Sequence, residues 1–511
     1  MITDYEKLFA IGAPWPPEDQ DTKERLARYE RNENLFAGDH QEVWQDIIRA
    51  LRGDRSGDLR LVLNFFKRLS LLWADLTCGE FPEAKAGDGK QPAQVVTLDR
   101  IIDDNALWPT ISDAVIDLSK FGDAALKIRY QDRGIIENVP PEYWFPIVEP
   151  SNVKQVKAHV LAYSFDVQEE SELPVIPVPT FIPADSHISE AQAKAVMEAG
   201  PFATGKTSYL KVEIHKPGSI EHRLYRLKDR KIESQLDLST FDEFKSLEKV
   251  QETGLDDFAL IIVHNITSTK KYHGMDDYSD IADIIRELEW RYAQIFRIED
   301  KFSDPSMYGP PIEEQDPRDG EYKVTGGSRY ITLNEGQTPP GMITWDGQLP
   351  ANFLTIDGLM QRLYEISETC KVAFDASAGG QGMSAQALRI MMTAPLKKSN
   401  RLQTRLGPAV RKAIRLCSLI EVKMGMAGAV EIPVTELTFH DGLPQDHNAD
   451  AQRESTLVTG KVRSHQGLMR DKGFSDAQIK QETEEMNNAD MGIGGLDGMQ
   501  EQEEEAEDAE T

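Results

Sequence analysis

The sequence predicts an α+β fold dominated by helices, and three observations carry that prediction. Apolar residues recur at three-and-four spacing over 59–77, 98–121, 281–302 and 353–374, the period of helices with one buried face. Between 124 and 227 the period changes to two, in segments bounded by turn residues, as strands require. Stretches rich in Gly and Pro near 305–350 and 375–384 separate the later helices.

Taken in order, residues from about Thr22 to Leu51 are charged and helical, and Leu59–Thr77 follows with Leu63, Phe66, Leu69, Leu72, Trp73 and Leu76 on one face. Leu98–Phe121 continues the helical period through Ile101, Ile102, Leu107, Ile111, Val115 and Leu118. Trp108-Pro109 is its candidate break and Gly122 its stop. Ala124–Tyr130, Val156–Phe165, Tyr209–His215 and Ile220–Leu227 alternate as strands, with Lys216-Pro217-Gly218 as a hairpin turn between the last two. Pro140–Pro146 sets Tyr143, Trp144 and Phe145 between prolines, a rigid extended corner. The Pro-rich Glu172–Pro183 and the Ala-rich Glu190–Ala199 read as a peripheral insertion.

In the second half, Asp277 or Ser279 can cap a helix carrying Ile281, Ile284, Ile285, Leu288, Tyr292, Ile295, Phe296 and Phe302. Asp304-Pro305 ends it, because proline disfavours the helical conformation of its predecessor. Short strand candidates Tyr322–Val324, Arg329–Leu333 and Met342–Trp345 precede a helix over Phe353–Phe374. The break Asp375–Ser384 leads to a basic helix, expected to kink at Pro395 and Gly407-Pro408. Ser475 and Gln478 form a capping box. Met499–Thr511 is nearly all acid and polar and is expected to be disordered. There are no internal repeats.

At 511 residues the chain can bury large cores. Its formal charge of −29 should repel nucleic acid and anionic membranes, so any DNA contact must be local. The sign reverses between Gln386 and Lys423, where nine Lys and Arg face the single acid Glu421. Such a patch suits a polyanion or an acidic neighbour, or is a solvated helix face. Cys78, Cys370 and Cys417 form no metal pair and no disulfide framework, as in a reducing compartment. The N-terminus lacks the apolar core of a signal peptide, and no apolar run is long enough to span a membrane. A soluble intracellular protein is expected.

Gly200-Pro-Phe-Ala-Thr-Gly205-Lys206-Thr207 matches the phosphate-binding P-loop pattern. That chemistry needs a strand before the loop and a helix after it, so that the helix N-terminus faces the phosphates. Here the expected order is inverted, with Ala191–Ala199 helical and Tyr209–His215 a strand. The ten histidines fall at no metal-ligand spacing, and no acid/base pair or nucleophile signature stands out. No enzyme active site, metal site or cofactor is expected.

Several short segments, in order, resemble one family. Leu35-Phe-Ala-Gly-Asp-His40 is similar to its helix-exit segment, and Cys78-Gly-Glu-Phe-Pro82 to its turn after an apolar helix. Phe121-Gly-Asp-Ala-Ala-Leu-Lys127 with Pro140-Pro-Glu-Tyr-Trp-Phe-Pro146 resembles its first wing strands. Gly274-Met-Asp-Asp-Tyr-Ser-Asp280 resembles the approach to its first stem helix. The Gly-rich break with Ser384-Ala-Gln-Ala-Leu388 is similar to its tunnel loop and long kinked helix, and Asp441-Gly-Leu-Pro-Gln-Asp446 to the segment before its crown. The family is the portal proteins of tailed bacteriophages and gene-transfer particles. The chain departs from it in having Ser384-Ala385 after the loop and Phe374-Asp375 before it.

The resemblance implies a ring of about twelve copies around a DNA channel at one capsid vertex, in the virion and, during assembly, in the host cytoplasm. The implied partners are double-stranded DNA in transit, terminase, head-completion (adaptor) proteins, and major capsid and scaffolding proteins, with no membrane. It maps an N-terminal arm to 1–24, a wing to 25–275 with the insertion at 168–207, and stem helices to 276–304 and 350–373. The clip maps to 305–349, the tunnel loop to 374–384, the kinked helix and return to the wing to 385–440, the crown to 441–490 and the acidic tail to 491–511.

On that mapping, Ser377, Gly379, Gly380, Gln381, Gly382, Met383 and Ser384 form the loop beside DNA, either a mobile gate or a passive connector. Lys397 and Lys398 are the cations nearest it and the candidates for DNA. Asp280, Asp283, Glu287 and Glu289 are candidates for an acidic channel wall that passes DNA without gripping it. They equally suit pairing with Arg286 and Arg291 within or between stem helices. Arg405, Arg411 and Arg415 are assigned to contact with an acidic neighbouring subunit. Two other classes stay open: an NTP-using assembly enzyme built on 200–207, and an acidic scaffolding protein.

Overall fold

The computed structural model describes residues 2–52, 61–87, 89–168, 206–269, 271–303, 307–309, 313–315, 322–324, 330–332, 341–342, 349–375, 385–440, 447–471, 474–475 and 478–486. They mix helix and sheet, so the α+β class holds. The chain divides into two compact units, one of Met1–Gly382 with Leu388–Gly442, the other of Met383–Ala387 with Leu443–Thr511.

In the first unit, helix α1 (Tyr5–Leu8) precedes α2 (Gln20–Ala37), which Asp19 caps by accepting from the Thr22 amide. The helical stretch expected over 22–51 is two helices. Gly38 adopts the left-handed conformation at φ 99° and ends α2, and α3 (His40–Arg52) restarts beyond it. α4 (Phe65–Cys78) is capped by Asn64 and buries Phe66, Leu69, Trp73 and Leu76. α5 (Pro92–Asp104) and α6 (Leu107–Phe121) follow, and α4 packs on α6. The break between these two lies at Asn105-Ala106 and not at Trp108-Pro109. Pro109 falls in the first turn of α6, where no intrahelical partner is lost by its missing N–H. Gly122 stops α6, as expected.

The β-rich block holds more strands than the alternation revealed. After β1 (Glu83–Ala86), which lies between α4 and α5, the block holds strands β2 (Asp123–Gln131), β3 (Arg133–Val139), β4 (Trp144–Glu149), β5 (Asn152–Gln168), β6 (Lys206–Lys216), β7 (Ser219–Lys228), β8 (Lys231–Leu236), β9 (Val250–Glu252) and β10 (Leu260–His264). The larger sheet runs β4-β5-β6-β7-β8 with antiparallel neighbours, and β9 also pairs with β7. Of the corner expected at 140–146, Pro141–Tyr143 is a single 3-10 turn, and Trp144–Pro146 opens β4, which pairs Trp144 with Leu161 and Phe145 with Val160. Pro217-Gly218 makes the expected two-residue hairpin between β6 and β7.

The N-terminal segment belongs to this sheet. Val148 N–H donates to Ile2 O at one edge strand, and Gly12 and Trp15 N–H donate to Ile232 O and Arg230 O at the other. Leu8, Phe9 and Trp15 then join Phe145, Val160, Leu210, Val212 and Tyr225 in one buried core.

The smaller sheet, β10-β2-β3, leads to the turn at 276–281. In that turn Asp276 accepts from the amides of Tyr278 and Ser279, and the helix expected to be capped by Asp277 or Ser279 begins only at Ala282. Helix α7 (Ala282–Ser303) follows and packs on α8 (Leu349–Ile366). Between them lie short strands β11 (Met307–Gly309), β12 (Glu313–Gln315), β13 (Tyr322–Val324), β14 (Tyr330–Thr332) and β15 (Gly341–Met342), in sheets β14-β11-β15 and β12-β13. The helix expected over 353–374 ends at Ile366, and Glu368 is left-handed at φ 57° before the short α9 (Lys371–Phe374).

α10 (Ala385–Met391) and α11 (Thr393–Lys423) divide the basic stretch. α11 keeps Pro395 in its first turn and Pro408 inside, and runs on for 31 residues. It packs against α4, α5, β2, β3 and β10, and β16 (Thr435–Thr438) then pairs with β1. The second unit contains α12 (His447–Thr459) and α13 (His465–Asp471). There the Ser475–Gln478 capping box forms as expected, Gln478 N–H donating to Ser475 Oγ and Ser475 N–H to Gln478 Oε1.

Candidate functional site

The lead-in to α7 is built around one buried carboxylate. Asp123, at the start of β2, is fully buried and accepts from Tyr29 Oη at 2.6 Å, the Gly274 amide at 2.8 Å and His264 Nδ1 at 2.5 Å. Burial alone would oppose its charge, but hydrogen bonds from His264 and His273 hold the carboxyl well below the usual range. The backbones meet closely here: a Cβ on Gly274 would stand 2.0 Å from Gly122 O, so both positions exclude a side chain.

Three polar contacts, each with a buried partner, tie together segments far apart in the chain. Lys398 Nζ lies 2.6 Å from Asp277 Oδ1 and 3.2 Å from Asn265 Oδ1, tying α11 to the segments beside β10. Glu289 of α7 is fully buried against His40 Nδ1 at 2.6 Å and accepts from the Leu63 amide at 2.7 Å. Glu421 grips Arg100 with both oxygens and accepts from the Gly134 amide. Two expectations change. Lys398 is 2% exposed, so it is a structural cation and not a DNA contact, and Glu289 is internal and not part of a channel wall.

Along α7, pairing within the helix prevails. Asp283 meets Arg286 at 2.7 Å and Glu287 meets Arg291 at 2.9 Å, each one turn apart. Asp280 is exposed just before the helix. α8 exposes Asp357, Gln361, Arg362 and Glu365, but Phe353, Leu354 and Ile366 are exposed as well, as is Phe296 on α7.

The exposed side of α11 is basic. At ~100° per residue, Lys397, Arg401, Arg405, Arg411, Lys412 and Arg415 fall within roughly one third of the circumference, and Leu402, Leu406, Ala409, Val410 and Ala413 are buried away from them. Glu368 pairs with Arg401, Asp257 with Lys412 at 2.6 Å, and Asp256 with Arg415 at 3.0 Å. Arg415, expected to reach a neighbouring subunit, is paired with Asp256 of its own chain. Lys397, Arg405 and Arg411 are exposed and have no ion-pair partner among the described residues.

Ser377, Gly379, Gly380, Gln381, Gly382, Met383 and Ser384 lie outside the described residues, as do most of the insertion, the acidic tail and Gly200–Gly205. Lys206 and Thr207 open strand β6, paired with Gln168 and Val167 of β5. Among the described residues no group of three or more His, Cys, Asp or Glu is arranged to hold a metal ion. Nor is any helix among them long and apolar enough to cross a membrane.

Sequence reasoning missed a buried polar cluster in the larger sheet. Lys127 Nζ lies 2.8 Å from Glu213, His215 Nε2 3.3 Å from it, and Lys211 Nζ donates to His222 Nδ1 at 3.0 Å. Burial lowers Lys211 to about 8 and, aided by Lys211, His222 to about 4. A signal existed: Lys211, Glu213 and His215 at every second position place three ionisable groups on one strand face.

No protein-family model matches the chain, and no curated protein matches it at a significant level.

Proposed function

We propose that this chain is a non-enzymatic, ring-forming DNA conduit of the portal type, located at a capsid vertex and serving as a docking platform for the packaging motor and head-completion proteins. The observation that carries the proposal is the pair α7–α8. Two long helices flank a segment of short strands, and one of them leaves Phe353, Leu354 and Ile366 uncovered. Large apolar side chains exposed along a long helix are favourable where something covers them, and further copies of the chain supply that cover in a ring.

The basic face of α11 fits the same reading. Arg405 and Arg411 remain for an acidic neighbour, and Lys397 for DNA, after the chain's own acids have paired with Arg401, Lys412 and Arg415. A chain of net charge −29 offers such neighbours in every copy. An NTP-using enzyme is disfavoured because Lys206 and Thr207 sit in a strand ladder and not at a helix N-terminus.

Charge reversal tests the assignment. Arg405→Glu with Arg411→Glu is expected to leave folded chains that fail to assemble, measured by analytical ultracentrifugation. Assembly should return with compensating Lys substitutions at acidic surface positions found by suppressor screening. Full assembly of the double variant would show that this face contacts no neighbour.

A further inference from the structure

A ring built from one kind of chain needs two different, mutually complementary surfaces on each copy. The basic face of α11 is one of them. Arg405 and Arg411 are exposed on it, with the exposed Pro408 between them. At ~100° and ~1.5 Å per residue, Pro408 falls midway between the two arginines, which stand about 9 Å apart along the axis.

The outer face of α5 has the opposite character. This helix buries Thr97, Leu98 and Ile101 and turns Val96, Asp99 and Asp103 outward, within about 60° of one another. Val96 is 67% exposed. Asp99 and Asp103 lie one turn apart, about 6 Å along the axis, and neither has an ion-pair partner among the described residues. Arg100, the cation between them in sequence, is turned away to Glu421 of α11, which accepts from both Nη atoms.

That pairing also fixes where the two surfaces lie. α5 packs on α11 at Glu421, and Glu421 is about 140° around the helix from Pro408. The acidic stripe and the basic face therefore sit on different sides of the chain and do not meet within one copy.

We propose that α5 of one copy docks on α11 of the next, Val96 against Pro408, with Asp99 and Asp103 toward Arg405 and Arg411. The inference rests on the ring reading and adds to it the second surface of the contact. Exposed ion pairs alone contribute little, so the apolar centre supplies contact area and the charges set register and partner. Like surfaces repel, acid against acid and base against base, which disfavours a two-fold dimer. The contact is head-to-tail and adds copies in one direction until the ring closes.

The test uses two full-length chains, one carrying Asp99→Lys with Asp103→Lys, the other Arg405→Glu with Arg411→Glu. Each alone should sediment as a monomer at a concentration where the wild type is assembled. Mixed in equal amounts, they should assemble, because every contact in an alternating ring then joins opposite charges. Native mass spectrometry should read equal numbers of the two chains, and this rescue shows that both are folded. If the α5 variant assembles alone while the α11 variant does not, the proposal is overturned and the ring reading stands with another acidic surface. A mixture that stays monomeric while each chain keeps the wild-type circular dichroism overturns it too. An α11 variant that assembles alone but binds DNA more weakly gives that face to DNA, against the proposal. A wild-type chain that never assembles overturns both this contact and the ring.

Discussion

Lowering the pH from 7 to 5 is expected to cost the folded chain about 3 kcal/mol of stability, through histidines held neutral inside the β-rich block. Burial, with the neighbouring His215 adding to it, lowers His159 to about 3; burial and Lys211 lower His222 to about 4. Both residues are nearly inaccessible to solvent. Above the unfolded value of about 6.5 neither state is protonated, and the stability they allow is fully present. Below it the unfolded chain takes up protons that the folded chain refuses, and each residue loses about 1.4 kcal/mol per pH unit.

At pH 5 the two together cost about 4 kcal/mol. Asp117 works the other way: burial raises it to about 6, so the folded chain gains protons there and recovers about 1 kcal/mol. Burial also lowers His215 and His273, which adds to the loss. Lys211, at about 8, changes stability only at higher pH. Asp123 and Glu213, both held well below the usual carboxylate range, add their own losses only below about pH 4. Urea unfolding at pH 7, 6 and 5 measures the slope. The double variant His159→Gln with His222→Gln should flatten it, and a wild-type chain equally stable at pH 5 and 7 would mean that these rings are not buried neutral.

Lys398→Met is expected to destabilise the chain by about 3–5 kcal/mol, the cost of removing one partner from a buried ion pair. Both side chains are sheltered, at 3% and 10% exposure for Lys398 and Asp277, so water cannot replace the lost partner. The double variant Lys398→Met with Asp277→Asn should regain most of the loss, because it leaves no uncompensated charge. A single variant of wild-type stability with weaker, less salt-dependent DNA binding would make Lys398 a DNA contact after all.

Legibility in the sequence followed physical cause. Helices with a one-sided apolar pattern, such as α4 and α7, were readable because burial imposes the period. Gly122 as a stop and Pro217-Gly218 as a turn were readable because few residues adopt those conformations. β4 was hidden because Trp144–Val148 is buried on both faces and shows no alternation. The break after Ile366 was hidden because it rests on Glu368, a residue type that rarely adopts positive φ.

The candidate site was half legible. A basic helix could be seen in the sequence, but the separation of Lys398 from Lys397 could not. Adjacent residues on a helix point about 100° apart, and only the packing on Asn265 and Asp277 determines which one is inside. Likewise Glu289 resembles Glu287 until His40, far away in sequence, is brought against it. The partners Asp256 and Asp257 of the basic face come from a loop whose position no local pattern reveals.

The central claim is that copies of this chain close into a ring around a DNA-sized channel. Electron microscopy of the purified full-length chain, with native mass spectrometry on the same sample, tests it most directly. The expected result is a closed ring with a central hole and a mass that is a fixed multiple of one chain. A monodisperse monomer, or an oligomer without a central hole, would contradict it.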